Sequence, residues 1–112
     1  MKMRKKLVDK YTYRVEWSKE DNFHIARCLE FPSLSTDGPT PEKAISEIKK
    51  VVAESIKWMK EEGEEVPTPF GEKDYSGKYA LRMPVDIHRE AAIKAAEQGV
   101  SLNQYLLAKI SG

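Results

Sequence analysis

Lys78 and Arg82 lie on one side of an alternating run, Lys78-Tyr79-Ala80-Leu81-Arg82-Met83, with Ala80 between them and Tyr79, Leu81 and Met83 on the other side. A strand has a side-chain period of two, so the run divides into an apolar face and a cationic face. A guanidinium can donate two parallel hydrogen bonds to O6 and N7 of guanine, and a two-stranded ribbon fits the DNA major groove. The chemistry open to this face is recognition of base edges. Further along, Ser101 and Asn103 stand at a helix start, where free backbone amides can grip a phosphate.

The other reactive residue types make weaker arrangements. Glu16 and Glu47 are the carboxylates to consider for a metal-dependent nuclease, which needs several acids converging on ions about 4 Å apart. Glu16 falls on the polar face of its strand and Glu47 lacks an acidic companion, so neither catalysis nor a metal or other cofactor is expected. His24 and His88 are far apart and have no His or Cys at ligand spacing, which assigns them to surface or turn positions. The single cysteine, Cys28, excludes an intramolecular disulfide and fits a reducing cytoplasm. It alternates with Ala26 and reads as a small, buried or half-buried apolar side chain.

The elements that must hold these residues follow from periodicity. Tyr11, Tyr13, Val15 and Trp17 alternate with Thr12, Arg14, Glu16 and Ser18, predicting a half-buried strand. A second run, Phe23 to Leu29, carries Phe23, Ile25 and Leu29 on its apolar face and pairs with the first as a hairpin. Ser33 to Gly38 supplies a short third strand closed by an Asp-Gly turn. Thr40-Pro41-Glu42 opens a helix with a capping hydroxyl, a proline at its first position and an acid at the positive dipole end. Its stripe is Ala44, Ile45, Ile48, Val52, Ile56 and Met59, and Gly63 stops it.

These elements form a β-β-β-α module over residues 8–66. Residues 67–76, rich in proline and glycine, read as a linker. The strand of Lys78 to Met83, ended by Pro84, opens a second module over residues 77–112. In it Asp86 caps a helix with Ile87, Ala91, Ala95 and Ala96 inward, ended by Gly99. Ser101 and Gln104 have the spacing of a capping box for a last helix with Leu102, Tyr105, Leu106 and Ile110 inward. A lone strand has unpaired groups on both edges, so pairing with a second copy is expected, with Tyr79, Leu81 and Met83 as the dimer core. Lys78 and Arg82 then point outward twice over.

Residues 77–110 resemble a ribbon-helix-helix DNA-binding domain, with Arg82 before Met83-Pro84 and Gly99-Val100-Ser101-Leu102-Asn103 between two helices. By that resemblance Lys78, Ala80 and Arg82 take the three base-reading positions. Ala80 departs from the polar residue common there, so the middle contact is either apolar touch with a thymine methyl or absent. Phe31-Pro32 and the run Asp37-Gly38-Pro39-Thr40-Pro41-Glu42-Lys43-Ala44, joined to such a carboxyl domain, resemble HicB antitoxins. The resemblance implies an α+β chain whose amino-terminal module has a partial ribonuclease H-like fold. That module would bind a HicA toxin, an mRNA-cleaving ribonuclease with a double-stranded-RNA-binding-like fold. The carboxyl domain would repress its own operon at a palindromic operator, as a homodimer or a tetramer. Where family members carry Pro-Gly-Cys or similar, this chain has Pro32-Ser33-Leu34. The alternative is a stand-alone ribbon-helix-helix repressor whose amino module senses a ligand or oligomerises.

Composition bounds these expectations. The 112 residues carry 19 Lys+Arg and 18 Asp+Glu, a formal net charge of +1, so DNA attraction has to come from placement rather than bulk charge. With 40% hydrophobic residues the chain is apolar enough to fold. No apolar run approaches the about 20 residues of a membrane span. The basic start, Met1 to Lys6, is followed by only Leu7-Val8, which favours a solvated tail over a signal peptide. The run Glu61, Glu62, Glu64 and Glu65 is a solvated helix end that would also suit steering of a cationic partner.

Overall fold

The computed structural model describes residues 6–112, and the basic tail expected at residues 1–5 lies outside them. The described chain is α+β and divides into two units, residues 1–75 and 76–112. In the first unit a single helical turn, α1 (Leu7–Lys10), precedes three strands, β1 (Tyr13–Ser18), β2 (Phe23–Cys28) and β3 (Phe31–Gly38), and the long helix α2 (Pro41–Glu61). The strands form an antiparallel sheet in the order β1-β2-β3. Tyr13 pairs with Cys28, Val15 with Ala26 and Trp17 with His24, while β3 joins β2 with a register shift at Arg27/Cys28. In the turn between β1 and β2, Asn22 takes positive φ and its amide bonds the Ser18 carbonyl at 2.8 Å.

This register corrects one expectation about β2. The buried face is Ala26 and Cys28, both fully inaccessible, whereas Phe23 and Leu29 are exposed and Ile25 is half-buried on the outer side. Residues directly opposite in an antiparallel pair share a face, so Tyr13 and Val15 carry Cys28 and Ala26 inward with them. The small side chains leave room for α2 to lie close, with Ile48 and Val52 filling the space above them. Tyr11 stands just before β1, buried, its ring edge-on to Phe31 and its hydroxyl donating to the Pro67 carbonyl at 2.7 Å. His24 lies within β2 rather than in a turn, half-buried against the Trp17 ring edge.

α2 forms as its sequence dictates. The Thr40 hydroxyl accepts from the Lys43 amide, Pro41 sits at the first position, and Ala44, Ile48, Val52 and Ile56 are buried. Gly63, at positive φ, donates to the Lys60 carbonyl and Glu64 donates to that of Met59, closing the helix with a left-handed cap.

The stretch expected to link the modules is bound to the first unit. Besides the Tyr11 bond to Pro67, the Phe70 amide donates to Glu30 Oε2 at 2.9 Å, Lys10 pairs with Glu72 at 2.8 Å, and Pro69 is buried. A short 3-10 turn (Phe70–Glu72) lies within it.

The second unit contains α3 (Val85–Glu97) and α4 (Leu102–Ser111). Asp86 is not the cap of α3: Pro84 holds that place without a side-chain bond, and Asp86 lies in the first turn, where its charge suits the helix dipole. Gly99 at positive φ ends α3, with the Val100 amide donating to the Ala95 carbonyl at 3.0 Å. Of the inward set expected for α3, Ala91 and Ala95 are buried but Ile87 and Ala96 are exposed in the single chain. The strand expected over Lys78 to Met83 is not formed: among the described residues this segment finds no strand partner, and it has no regular secondary structure. No described helix is long and apolar enough to cross a membrane.

Candidate nucleic-acid interface

The second unit positions every residue expected to meet DNA. α4 opens with a full capping box: the Ser101 hydroxyl accepts from the Gln104 amide, and the Gln104 side chain accepts from the Ser101 amide, both at 3.0 Å. The box anchors the turn while leaving the first-turn amides of Leu102 and Asn103, which no intrahelical carbonyl can reach. Ser101 and Asn103 are both exposed beside them, an arrangement able to hold a phosphate oxygen.

Lys78, Ala80 and Arg82 are also exposed. Their neighbours on the opposite face of the run do not bury themselves within the chain. Tyr79 is 90% exposed and Leu81 largely so, while Met83 is half-buried. Between this segment and α4 runs an open groove of about 990 Å³, with Lys78, Tyr79, Leu81, Arg82 and Met83 on the segment's side and Leu102, Leu106 and Ile110 on the other. Ile110, expected inward, is 80% exposed, and Leu107 on the same lip had no place in the helical stripe read from sequence. Its signal was available: Leu106 and Leu107 together widen the apolar arc beyond what a close contact with α3 alone requires. The segment 78–84 thus leaves its cationic and apolar side chains uncovered along one groove, and among the described residues nothing pairs its backbone.

In the first unit the acids considered for catalysis do not converge. Glu16 lies on the outer face of the sheet near Arg14 and Arg27, at 3.9 and 4.0 Å, and Glu47 pairs with Lys50 at 3.3 Å. Glu47 instead borders an open cleft of about 470 Å³ with Asp21, Asp37 and Arg27. Among the described residues no group of three His, Cys, Asp or Glu side chains is placed to hold a metal ion. His88 is exposed on α3, at the edge of the second unit's groove. Cys28 is fully buried, and burial pushes its thiol pKa up, away from the reactive thiolate. Glu61, Glu62, Glu64 and Glu65 are all exposed around the end of α2.

No curated protein and no solved structure matches the chain. The model of the HicB family matches residues 58–110, from the last turn of α2 through α3 and almost all of α4. That match spans the groove and the capped turn together, and over those residues the chain is similar to the HicB family.

Proposed function

We propose that this chain is a HicB-family protein and the antitoxin of a toxin–antitoxin pair, with two binding tasks divided between its two units. The second unit pairs with a second copy through residues 78–83, making the ribbon of a ribbon-helix-helix domain that represses the chain's own operon. The single observation that carries this reading is the uncovered segment of Lys78 to Met83, whose apolar Tyr79, Leu81 and Met83 and basic Lys78 and Arg82 border one open groove. A two-fold ribbon buries the first set and turns the second toward the major groove. The capped start of α4 then grips the flanking phosphates through Ser101, Asn103 and the free amides.

The first unit binds a HicA-type toxin and blocks its RNA-cleaving surface. Toxins that bind RNA are cationic, and this unit offers the Asp21, Asp37 and Glu47 cleft together with the acidic end of α2. The chain acts by occlusion, as a binding protein and not as an enzyme.

Expression of the small basic reading frame beside this one, alone and with the chain, tests the toxin half. Arrest of growth relieved by co-expression, with a stable complex on purification, is expected. Operator binding with no complex of any kind would leave a stand-alone repressor instead. For the DNA half, Arg82→Ala should cost about 1–3 kcal/mol of operator affinity and relax specificity at its base position. Asn103→Ala should weaken binding to all sequences alike, with a shallower salt dependence. Unchanged operator affinity in the Arg82 variant overturns the ribbon.

A further inference from the structure

β1 is an outer strand of its sheet, and among the described residues no strand pairs with its free edge. The Thr12 carbonyl accepts from the Leu29 amide at 2.9 Å, and antiparallel alternation then directs the backbone groups of Arg14, Glu16 and Ser18 toward β2. The N–H and C=O groups of Tyr13, Val15 and Trp17 therefore point away from the sheet. Exposed edges are normally blunted by lysine, proline or a bulge. β1 has no lysine, proline or bulge, and its two charges, Arg14 and Glu16, are of opposite sign: it reads Tyr-Arg-Val-Glu-Trp-Ser and pairs with β2 without a register shift.

The strand is complementary to itself. When two copies run antiparallel with Val15 facing Val15, Arg14 lies opposite Glu16 on both sides of the axis, and Tyr13 lies opposite Trp17. Sliding one strand by two residues, the step that keeps the hydrogen-bonding pattern, sets Arg14 against Arg14 or Glu16 against Glu16, and like charges directly opposite are destabilising. The backbone agrees with the charges. In the Val15-centred register Tyr13, Val15 and Trp17, whose groups point outward, make the hydrogen-bonded pairs. Arg14 and Glu16 then fall at the closely spaced pairs, where side chains meet best.

The inner face offers matching cover. α2 packs chiefly over β2 and β3, which leaves Val15 bordering an open groove of about 530 Å³ with Pro41, Ile45 and Lys49. Trp17 on the same face is 53% exposed. A second β1 laid along the first continues the apolar face across this groove and covers Trp17.

We infer that the first unit associates with a second copy of itself through β1, joining the two sheets into one across a two-fold axis at Val15. This interface is separate from the groove of the second unit and does not rest on the antitoxin reading. With both interfaces in place, pairs of chains join into larger assemblies.

Charge reversal in the full chain tests it. Arg14→Glu and Glu16→Arg should each halve the mass measured by sedimentation, and the double variant, which restores opposite charges across the axis, should recover it. Halving is expected whether or not the second unit pairs, so failure of that pairing does not mimic the result. Val15→Cys should cross-link two chains under mild oxidation, because hydrogen-bonded partners stand about 5.5 Å apart at Cα, within disulfide reach. Arg14→Cys alone should not, since its own copies are offset by two pairs, and buried Cys28 does not compete. Unchanged mass in both single variants, or Val15→Cys chains that stay unlinked, overturns the proposal. A toxin strand or residues 1–5 occupying the edge would produce the latter outcome.

Discussion

Glu30 ties three parts of the first unit to one carboxylate. It accepts from the Thr12 amide and hydroxyl before β1, from the Phe70 amide 40 residues later, and from the Cys28 thiol at 3.7 Å. Burial alone pushes its pKa up, but the Phe70 and Thr12 amides outweigh burial and hold it below the usual carboxylate value. The folded state therefore binds this proton less readily than the unfolded chain does. Its stabilisation is full above the unfolded carboxylate pKa and is lost as pH falls through the depressed folded one. Glu30→Gln keeps the shape but removes the charge and presents an amide group where acceptors are needed. It should cost roughly 1–3 kcal/mol at neutral pH, measured by urea unfolding, and the variant should show a flatter acid limb than the parent chain. Nothing in the sequence marks this residue. An acid between Leu29 and Phe31 has no periodic or capping signature, and its partners are set by where the chain returns at Phe70. Lys78 and Arg82 are exposed as expected, but the strand whose period of two suggested it is not formed within the single chain.

Among the elements, α2 was legible almost residue for residue because its determinants are local: a cap, a first-turn proline, an apolar stripe and a terminal glycine. The α4 capping box is local in the same way. β2 was misread where locality ends. Its large apolar residues suggested Phe23, Ile25 and Leu29 as the buried face, but register with β1 decides the matter, and it places the small Ala26 and Cys28 under α2. α1 was missed because one isolated turn is unstable by itself. It is held by Leu7 and Val8 against the core, the Tyr13 hydroxyl on the Val8 carbonyl and the Lys49 pair with Asp9. The close approach of β3 to α2 shows the same dependence on tertiary packing. A Cβ built on Gly38 would stand 2.7 Å from the Ala44 amide nitrogen and 3.0 Å from Lys43 Cβ. Backbone cannot yield there without moving the start of α2. Gly38→Ala should destabilise the first unit by about 1–3 kcal/mol, the ordinary cost of overpacking, with a lower urea midpoint and an unchanged slope.

At the scale of the whole molecule the two units differ in what holds them together. The first has a continuous core of Tyr11, Ala26, Cys28, Phe31 and the α2 stripe. The second buries only Ala91 and Ala95 among its apolar side chains and leaves Tyr79, Leu81, Val85, Leu107 and Ile110 to solvent. So short a segment falls below the size at which a core stabilises a fold unaided, which is why the proposed pairing would supply the burial it lacks. Charge follows the same division: residues 1–75 carry 14 basic and 15 acidic side chains, and residues 76–112 carry 5 and 3. The excess of two on the second unit is too small to oppose the proposed pairing strongly, and such pairing would double it beside Arg82. Hydrogen exchange at two protein concentrations separates the units. If the folded second unit exists only as a pair, the unpaired fraction grows with the inverse square root of concentration. Amides of α3 and α4 should then exchange about threefold faster after a tenfold dilution over which most chains stay paired. Amides of β2 and the middle of α2 should hold their rates, because their protection comes from a core complete within one chain. Equal, concentration-independent protection in both units would mean that α3 and α4 are stable without a partner, and the uncovered wall of Tyr79 and Leu81 would then need a different occupant.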